Sequence, residues 1–264
     1  MNRRRLVLTI FLVSIPCFSF ATEPFRLRVL SYNIHHGEGV DKRIDLARIA
    51  NVIRSVSPDI VALQEVDRRA KRSGNVDQPA ELARLTDMNV VFGHNIDLQG
   101  GHYGNAVLSK FPIVNHNNVH LKSFENGEQR GVLICELQPK SIDETILFMG
   151  THLDHRRDGQ ERLASAEQIN GIALERLSIA AILAGDLNAT RNSQVLKTFA
   201  KQWQIANEKT LPTIPVAKPS RQIDFILTRP SSRWKTIEVR VLDESIASDH
   251  RAIFAELELI HHEK

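Results

Sequence analysis

Short apolar runs, each bounded by turn residues, recur along the chain between Phe25 and Leu259. The runs are RLRVLSYNI, DIVALQE, NVVFGHN, GNAVLSKF, GVLICEL, TILFMGTHL, IAAILAGDL, QIDFILT, TIEVRVL and HRAIFAELEL. They are rich in Val, Ile and Phe and have the length of strands, so the pattern predicts about ten β-strands.

Apolar residues at helical spacing predict three helices between these runs. The first covers IANVIRSV and ends before Pro58, the second starts at Asp77 with Pro79 in its first turn, and the third covers QERLASAEQINGIALERL. The strands are too many for one small sheet, which predicts an α/β protein with two packed sheets covered outside by helices. No repeat or Ser/Gly-rich linker interrupts the pattern, so residues 22–264 are expected to form a single domain.

The first 21 residues have the order of a secretory signal peptide. A basic start, MNRRR, is followed by the apolar run LVLTIFLVSIPCFSF and by small residues before Thr22. The run is shorter than the roughly 20 residues that span a bilayer, so an uncleaved anchor is the less favoured alternative. We therefore expect residues 1–21 to be a signal peptide, and the mature protein to be periplasmic or extracellular without stable membrane insertion.

The positive charge of the chain belongs to this predicted signal peptide. The formal net charge is +3, and removal of the segment with its three arginines and no acid brings it to zero. A nucleic-acid-binding protein usually carries a broad basic surface, which a neutral mature chain does not favour. Cys135 is then the remaining cysteine, so no intrachain disulfide is possible, and its apolar surroundings predict a buried, inert thiol.

Polar side chains stand where many of the predicted strands end or begin. They are Asn33, Glu65, His152, Asp186, Asn188, Asp224, Asp249 and His250. Singly, each has an ordinary explanation: Asn188 or Thr190, for example, could cap a following helix. Together they supply what phosphoester hydrolysis requires, namely oxygen ligands for a hard cation, a positioned water and donors for the phosphoryl oxygens.

The segments that carry these residues resemble a known family. In order, SYNI, LQE, GNAVLSKFPI, GTHLDH, GDLNA, QIDFI and SDHRAIFAEL are similar to the motifs of the endonuclease/exonuclease/phosphatase superfamily, the DNase I-like hydrolases. The resemblance covers the chain from Phe25 to Leu259 and is nearest to small exported bacterial members. It implies a four-layer α/β/β/α sandwich, with two mostly antiparallel central sheets and the active site at one edge of them.

The resemblance also implies a metal site. Glu65 would be the main metal carboxylate with Asn33 beside it, and Asp249 would reach the metal or a metal-bound water. A single carboxylate with waters suits Mg²⁺ or Mn²⁺. His35 stands where repair nucleases of the superfamily carry a further acid, and His36 follows it, so a softer metal bound by these histidines is the alternative.

The catalytic roles follow from the same resemblance. Asp186 would orient or deprotonate the attacking water, and Asn188 would hold water or phosphate. His152 and His250 would contact the phosphoryl oxygens, and Asp224 would orient His250 and raise its pKa through its opposite charge. The residues leave open whether Asp186 or the His250–Asp224 pair is the general base.

Basic residues near two of the motifs suggest how further phosphate oxygens would be bound. These candidates are Arg68, Arg72, His155 and Arg156; solvated surface charges are the alternative. Asn105, in YGNAVLSK, is a further candidate for phosphate or water contact because the resemblance includes it. The resemblance to small exported members favours a phosphodiesterase acting on a lipid headgroup or a small phosphodiester as the function. A secreted DNA or RNA nuclease and an inactive binding module of the same fold are the alternatives.

Overall fold

Twelve strands form two six-stranded sheets in the computed structural model, which describes residues 24–124, 127–177 and 179–260. The strands are β1 (Arg26–Asn33), β2 (Ile60–Arg68), β3 (Asn89–Leu98), β4 (Gly101–Ser109), β5 (Ile113–His120), β6 (Gly131–Leu137), β7 (Ile146–His152), β8 (Ala181–Asp186), β9 (Gln204–Ile205), β10 (Asp224–Arg229), β11 (Trp234–Val241) and β12 (Ile253–Leu259). All ten predicted strands are present. The predicted signal peptide, residues 1–21, lies outside the described residues.

Each sheet is mostly antiparallel and contains one parallel pair. The first sheet has the order β11-β12-β1-β2-β4-β3, and the second has the order β5-β6-β7-β8-β10-β9. The parallel pairs are β1 with β2 and β7 with β8. Because both strands of a parallel pair end at the same edge of a sheet, the polar residues near their ends lie side by side.

In the part of the chain that the structure describes, four α-helices cover the sheets: α1 (Leu46–Ser55), α2 (Gln78–Thr86), α3 (Gln160–Leu174) and α4 (Gln194–Phe199). Asp77 caps α2, as the sequence predicts, by accepting a hydrogen bond from the amide of Ala80. The short helix α4 was not predicted, and its cap is Ser193, so Asn188 and Thr190 do not cap it. No helix of the described residues has both the length and the apolar character needed to cross a bilayer.

Three apolar clusters hold the layers together. One lies between the sheets, where Val29 of β1 and Phe148 of β7 are fully buried. A second joins the first sheet to α1 and α2, and a third joins the second sheet to α3 and α4 through residues such as Ile169 and Phe199. Each fully buried side chain of this size contributes about 1.5–3 kcal/mol to folding. The predicted four-layer α/β/β/α sandwich is confirmed.

Cys135 belongs to the cluster between the sheets and is fully buried. Burial raises the pKa of its thiol to about 12. The thiolate is the reactive form, so this environment agrees with the inert thiol predicted from the sequence.

Candidate active site

Three polar residues stand side by side at one edge of the second sheet. In the pairing of the strands, His152 at the end of β7 lies opposite Asp186 at the end of β8, and Asp186 lies opposite Asp224 at the start of β10. Each is at most 4% exposed. With His250, which contacts both carboxylates, they form a cluster that we call the buried polar row.

Asp186 is at the centre of this row. Its Oδ2 lies 3.4 Å from Nε2 of His152 and 3.7 Å from Nε2 of His250, and it accepts a hydrogen bond from the Asn33 amide at 3.2 Å. Its Oδ1 accepts from the backbone amide of Asn188. Burial, and then the charge of Asp224, raise the pKa of Asp186 to about 7 against the lowering effect of His250. Asp186 can therefore exchange a proton near neutral pH.

His250 is held as an imidazolium. Burial lowers its pKa, but the carboxylate of Asp224, 2.9 Å from Nδ1, and the charge of Asp186 outweigh burial and raise the pKa to about 10. Nδ1 donates to Asp224, which leaves the proton on Nε2 directed toward Asp186 and the cavity. His250 is thus a hydrogen-bond donor at neutral pH.

His152 is held in the opposite state. Burial, and then the positive charge of Arg130, place its pKa well below its ordinary value. Arg130 donates to Nδ1 at 3.1 Å, and because a guanidinium can only donate, the proton of the neutral imidazole is on Nε2, facing Asp186. Asn188 has a left-handed backbone, with φ of 47°. Its side-chain nitrogen donates to the carbonyl of Leu153 and also lies 3.1 Å from Nε2 of His152.

Glu65 lies on the other side of the cavity. It has a positive φ of 57° at the bulge that interrupts the pairing of β2 with β4, and its side chain is half-buried. Its Oε1 accepts from the amide of Asn33 at 3.0 Å, whereas no side chain of the described residues hydrogen-bonds to its Oε2. Glu65, the exposed Asp249 and His35 line the cavity together, and we call them the open corner.

The open corner has the donors for a divalent metal ion. The free oxygen of Glu65 and the carboxylate of Asp249 are hard ligands of the kind that Mg²⁺ and Mn²⁺ take. Asn33 turns its amide nitrogen toward Glu65, so a direct ligand role would require the amide to rotate. Donor atoms of His35, His36 and Glu65 also lie within 4.8 Å of one another, so the softer-metal alternative has its ligands in place.

A cavity of about 410 Å³ joins the buried polar row to the open corner. Eight of the predicted site residues line it: Glu65, Arg72, His152, His155, Asp186, Asn188, Asp249 and His250. Asn33 and Asp224 lie behind this lining and contact it through hydrogen bonds. The structure thus brings the principal predicted residues into one site.

Three predicted substrate-binding residues lie outside the cavity lining. The guanidinium of Arg68 stacks over the ring of Phe92. Arg156 pairs with Asp154 and Glu161.

Asn105 is the third predicted substrate-binding residue outside the cavity lining. It is buried and donates to the carbonyl of Gly131, which also accepts from Thr151. Asn105 belongs to β4 and Gly131 to β6, so this bond joins the two sheets and fixes the chain directly after Arg130.

Sequence reasoning missed Arg130 and the apolar wall of the cavity. Arg130 donates to both His152 and His155 and is 3% exposed. It directly precedes β6, which runs antiparallel to β7, so the start of β6 lies at the same edge as the end of β7. A polar residue before an apolar strand, as in QRGVLICEL, was the available signal.

Comparison with known proteins agrees with the fold and the family predicted from the motifs. Residues 30–250 match the family model of the endonuclease/exonuclease/phosphatase family. The chain belongs to this family. The uncharacterized protein YbhP of Escherichia coli (strain K12) is 31% identical to it over 253 residues, which cover 90% of this chain and 98% of YbhP. The resemblance stated from the motifs is therefore confirmed.

Two proteins similar to this chain have names that state an activity. The 5′-tyrosyl-DNA phosphodiesterase of Caenorhabditis elegans is 25% identical over 174 residues, which cover 62% of this chain and 43% of that protein. The structure of the mannosyl-6-phosphatase Bt3783 of Bacteroides thetaiotaomicron is similar with a TM-score of 0.73 and 20% identity, covering 89% of this chain and 100% of that one. Members of the family are divalent-metal-dependent hydrolases of phosphoester bonds, and this chain is such an enzyme.

Proposed function

We propose that the protein is an exported phosphodiesterase that uses Mg²⁺ or Mn²⁺ to hydrolyse a lipid headgroup or another small phosphodiester. The observation that carries this proposal is the composition of the cavity. Arg130 and His152 lie at its inner end and can donate to a phosphoryl group, and Arg130 is also paired with Glu128 at 2.9 Å. Ile96 and Leu98 form an apolar wall. A volume of about 410 Å³ suits one phosphoester group with a small substituent.

The basic residues around the cavity support a small substrate over a long nucleic acid. Arg72 forms a bidentate pair with the buried carboxylate of Asp67, at 2.8 Å for the closer contact. Arg156 is paired with Asp154. Guanidinium groups that are neutralised in this way contribute less to a basic groove of the kind that follows a nucleic-acid backbone. A nuclease is the second candidate, and the tyrosyl-DNA phosphodiesterase among the relatives favours it.

The residues of the cavity can divide the chemistry between them. Asp186 orients the attacking water and takes its proton, since its pKa near 7 allows it to be ionised before the step and protonated after it. His250 and Arg130 donate hydrogen bonds to the phosphoryl oxygens, and Asp224 keeps His250 protonated. A divalent ion held by Glu65, with Asp249 as a direct or water-mediated partner, would polarise a phosphoryl oxygen and stabilise the leaving oxygen.

A panel of substrates tests this proposal. Purified protein with Mg²⁺ or Mn²⁺ is expected to hydrolyse bis-(4-nitrophenyl) phosphate faster than 4-nitrophenyl phosphate, and EDTA should abolish the activity. Phosphatidylinositol, sphingomyelin, inositol phosphates, plasmid DNA and RNA are then compared side by side. Nicking of the plasmid at low enzyme concentration with the lipids untouched would favour the nuclease. Faster hydrolysis of the monoester would make the protein a phosphatase, and no turnover with any divalent ion would make it a binding module.

Export is tested separately, because it rests on the sequence of residues 1–21. The full-length chain, expressed in a Gram-negative host, is expected in the periplasm or the medium with a mass that corresponds to cleavage after Ala21. A chain that starts at Thr22 is the control and should stay in the cytoplasm. Recovery of the full-length chain from the cytoplasm with its first 21 residues intact would contradict export.

A further inference from the structure

The hairpin formed by β3 and β4 carries a second cluster of metal-ligating side chains. His94, Asp97 and His102 each offer one donor atom, and these three atoms all lie within 4.8 Å of one another. None of the three residues lines the catalytic cavity. The chemistry described above does not use them.

A β-bulge brings the three side chains to one face of the hairpin. Asp97 lies directly opposite His102 in the pairing of the strands, so their side chains share a face. His94 would ordinarily lie on the other face with Ile96, but the register shifts between these two residues. The extra residue of the bulge changes the alternation by one position, which moves His94 to the face of Asp97.

The three donor atoms are close together, and the contact of His102 with Asp97 is a hydrogen bond. Oδ1 of Asp97 lies 3.0 Å from Nε2 of His94 and 3.0 Å from Nδ1 of His102. In a tetrahedral site with bonds of about 2.0–2.1 Å, neighbouring donor atoms are about 3.3 Å apart. The two distances to Asp97 would need to widen slightly for an ion to lie between the three donor atoms, which all lie within 4.8 Å of one another.

One of the donor nitrogens lacks a hydrogen bond. Nε2 of His94 is shielded from solvent and, although it is close to Asp97, makes no hydrogen bond with any group of the described residues. A shielded polar atom without a partner is unfavourable by about 1–3 kcal/mol. A cation between the donors would give this nitrogen a partner, which its close but misaligned contact with Asp97 does not.

We propose that His94, Asp97 and His102 form a second metal site that binds a borderline transition ion of the Zn²⁺ class and braces the wall of the catalytic cavity. Two imidazoles and one carboxylate, with a water as the fourth ligand, suit such an ion better than Mg²⁺ or Ca²⁺. Ile96 and Tyr103 are paired on the opposite face of the same hairpin and line the cavity. An ion that joins Asp97 to both histidines therefore fixes the strands that carry this wall.

Zinc binding tests the site directly. The protein is freed of metal, supplied with excess Mg²⁺ to fill sites for hard cations, and titrated with Zn²⁺ in a calorimeter. His102→Ala and the isosteric Asp97→Asn are each expected to lose one equivalent of bound Zn²⁺ or to bind it with an affinity lowered more than about 100-fold. Altering a residue that only supports a metal ligand typically lowers metal affinity by about 10- to 100-fold. His116→Ala, which removes an exposed histidine of β5, is the matched control and should titrate like the unaltered protein.

The open corner can also attract Zn²⁺, and Glu65→Gln separates the two sites. Loss of zinc in Glu65→Gln, together with unchanged stoichiometry and affinity in both His102→Ala and Asp97→Asn, would overturn the proposal. Circular dichroism of each variant shows whether it remains folded, and Asp97→Asn preserves the shape of the side chain.

Hydrogen exchange tests the bracing of the cavity wall. Zn²⁺ is expected to slow the exchange of the backbone amides of residues 94–103 in the unaltered protein and in His116→Ala, but not in His102→Ala. Unchanged exchange in the unaltered protein with zinc bound would refute the bracing.

Discussion

The two sides of the catalytic cavity differ in how their charges are satisfied. In the buried polar row, Asp224 and His250 form an ion pair, and Asp186 accepts hydrogen bonds from two asparagines. In the open corner, Glu65 has one hydrogen bond from the described residues and Asp249 is exposed. The charges of the row are paired within the protein, although Oδ1 of Asp224 is buried without a hydrogen bond from the described residues. The carboxylates of the corner instead have oxygens available to bind an ion from solution.

This difference implies that substitutions on the two sides of the cavity lower activity in different ways. A change in the buried polar row alters proton positions that the fold has already set, so no added ligand can restore them. A change in the open corner alters affinity for an ion, which a higher concentration of that ion can partly restore. The four predictions below test this contrast, from the largest expected effect to the smallest.

Asp186→Asn is expected to give the largest loss. The amide cannot take a proton from water, so kcat should fall by roughly 10²–10⁴. Because the raised pKa of Asp186 means that its charge is unfavourably buried, the variant should be as stable as the unaltered protein or more so. Initial rates and urea denaturation measure the two effects, with the exposed Asp143→Asn as the control. A near-native rate in Asp186→Asn would remove Asp186 from the mechanism.

Glu65→Gln is expected to weaken the open corner through its metal. The concentration of Mg²⁺ or Mn²⁺ that gives half-maximal activity should rise by at least about 100-fold, and part of the lost rate should return at high metal concentration. Rates measured against metal concentration test this, and Asp186→Asn should show no such recovery. Equal recovery of the rate at high metal concentration in both variants would show that the two sides of the cavity do not differ in this way.

The ion pair of His250 with Asp224 predicts a particular dependence of stability on pH. The pKa of His250 is raised from 6.5 to about 10, so the stabilisation is full below pH 6.5 and is lost as the pH rises through about 10. His250→Gln should therefore lower the free energy of unfolding by about 3 kcal/mol near pH 6.5, and by progressively less toward pH 10. Urea denaturation in EDTA measures this difference. The same deficit at both ends of the range would show that the ion pair is not its source.

Arg68→Ala is expected to give the smallest effect. Its guanidinium stacks on Phe92 outside the cavity, so kcat/KM on a small diester should change by no more than about twofold. Arg130→Ala, the contrasting variant, removes the donor to His152 and should lower kcat/KM by roughly 100-fold. Steady-state kinetics compare the two, and a similar loss in both would mean that the substrate extends beyond the cavity.

The sequence predicted much of this arrangement, because apolar strands with polar ends are directly visible in it. Asp186 and Asn188 after AILAG, and Asp224 before FILT, were recognised in this way. The strand β5, IVNHNNVH, was missed because it is an edge strand with polar residues on most positions, and β9 was missed because it has two residues.

Other features depend on contacts between distant segments. Gly185 lies within β8, where a Cβ would stand 1.9 Å from the carbonyl oxygen of Thr151 on the neighbouring strand β7. The bond from Asn105 to Gly131 joins residues of different sheets. Local patterns contain no information on such approaches, so they could not be predicted.

The pairing of β12 with β1 connects the catalytic site to two segments that are far apart in the sequence. Leu27 of β1 lies opposite Leu257 of β12. His250 lies three residues before β12 and supplies the imidazolium that pairs with Asp224. Contacts between such distant segments form slowly in folding, because closing a long loop costs entropy. We therefore expect the ion pair of His250 with Asp224 to form only once β12 has paired with β1.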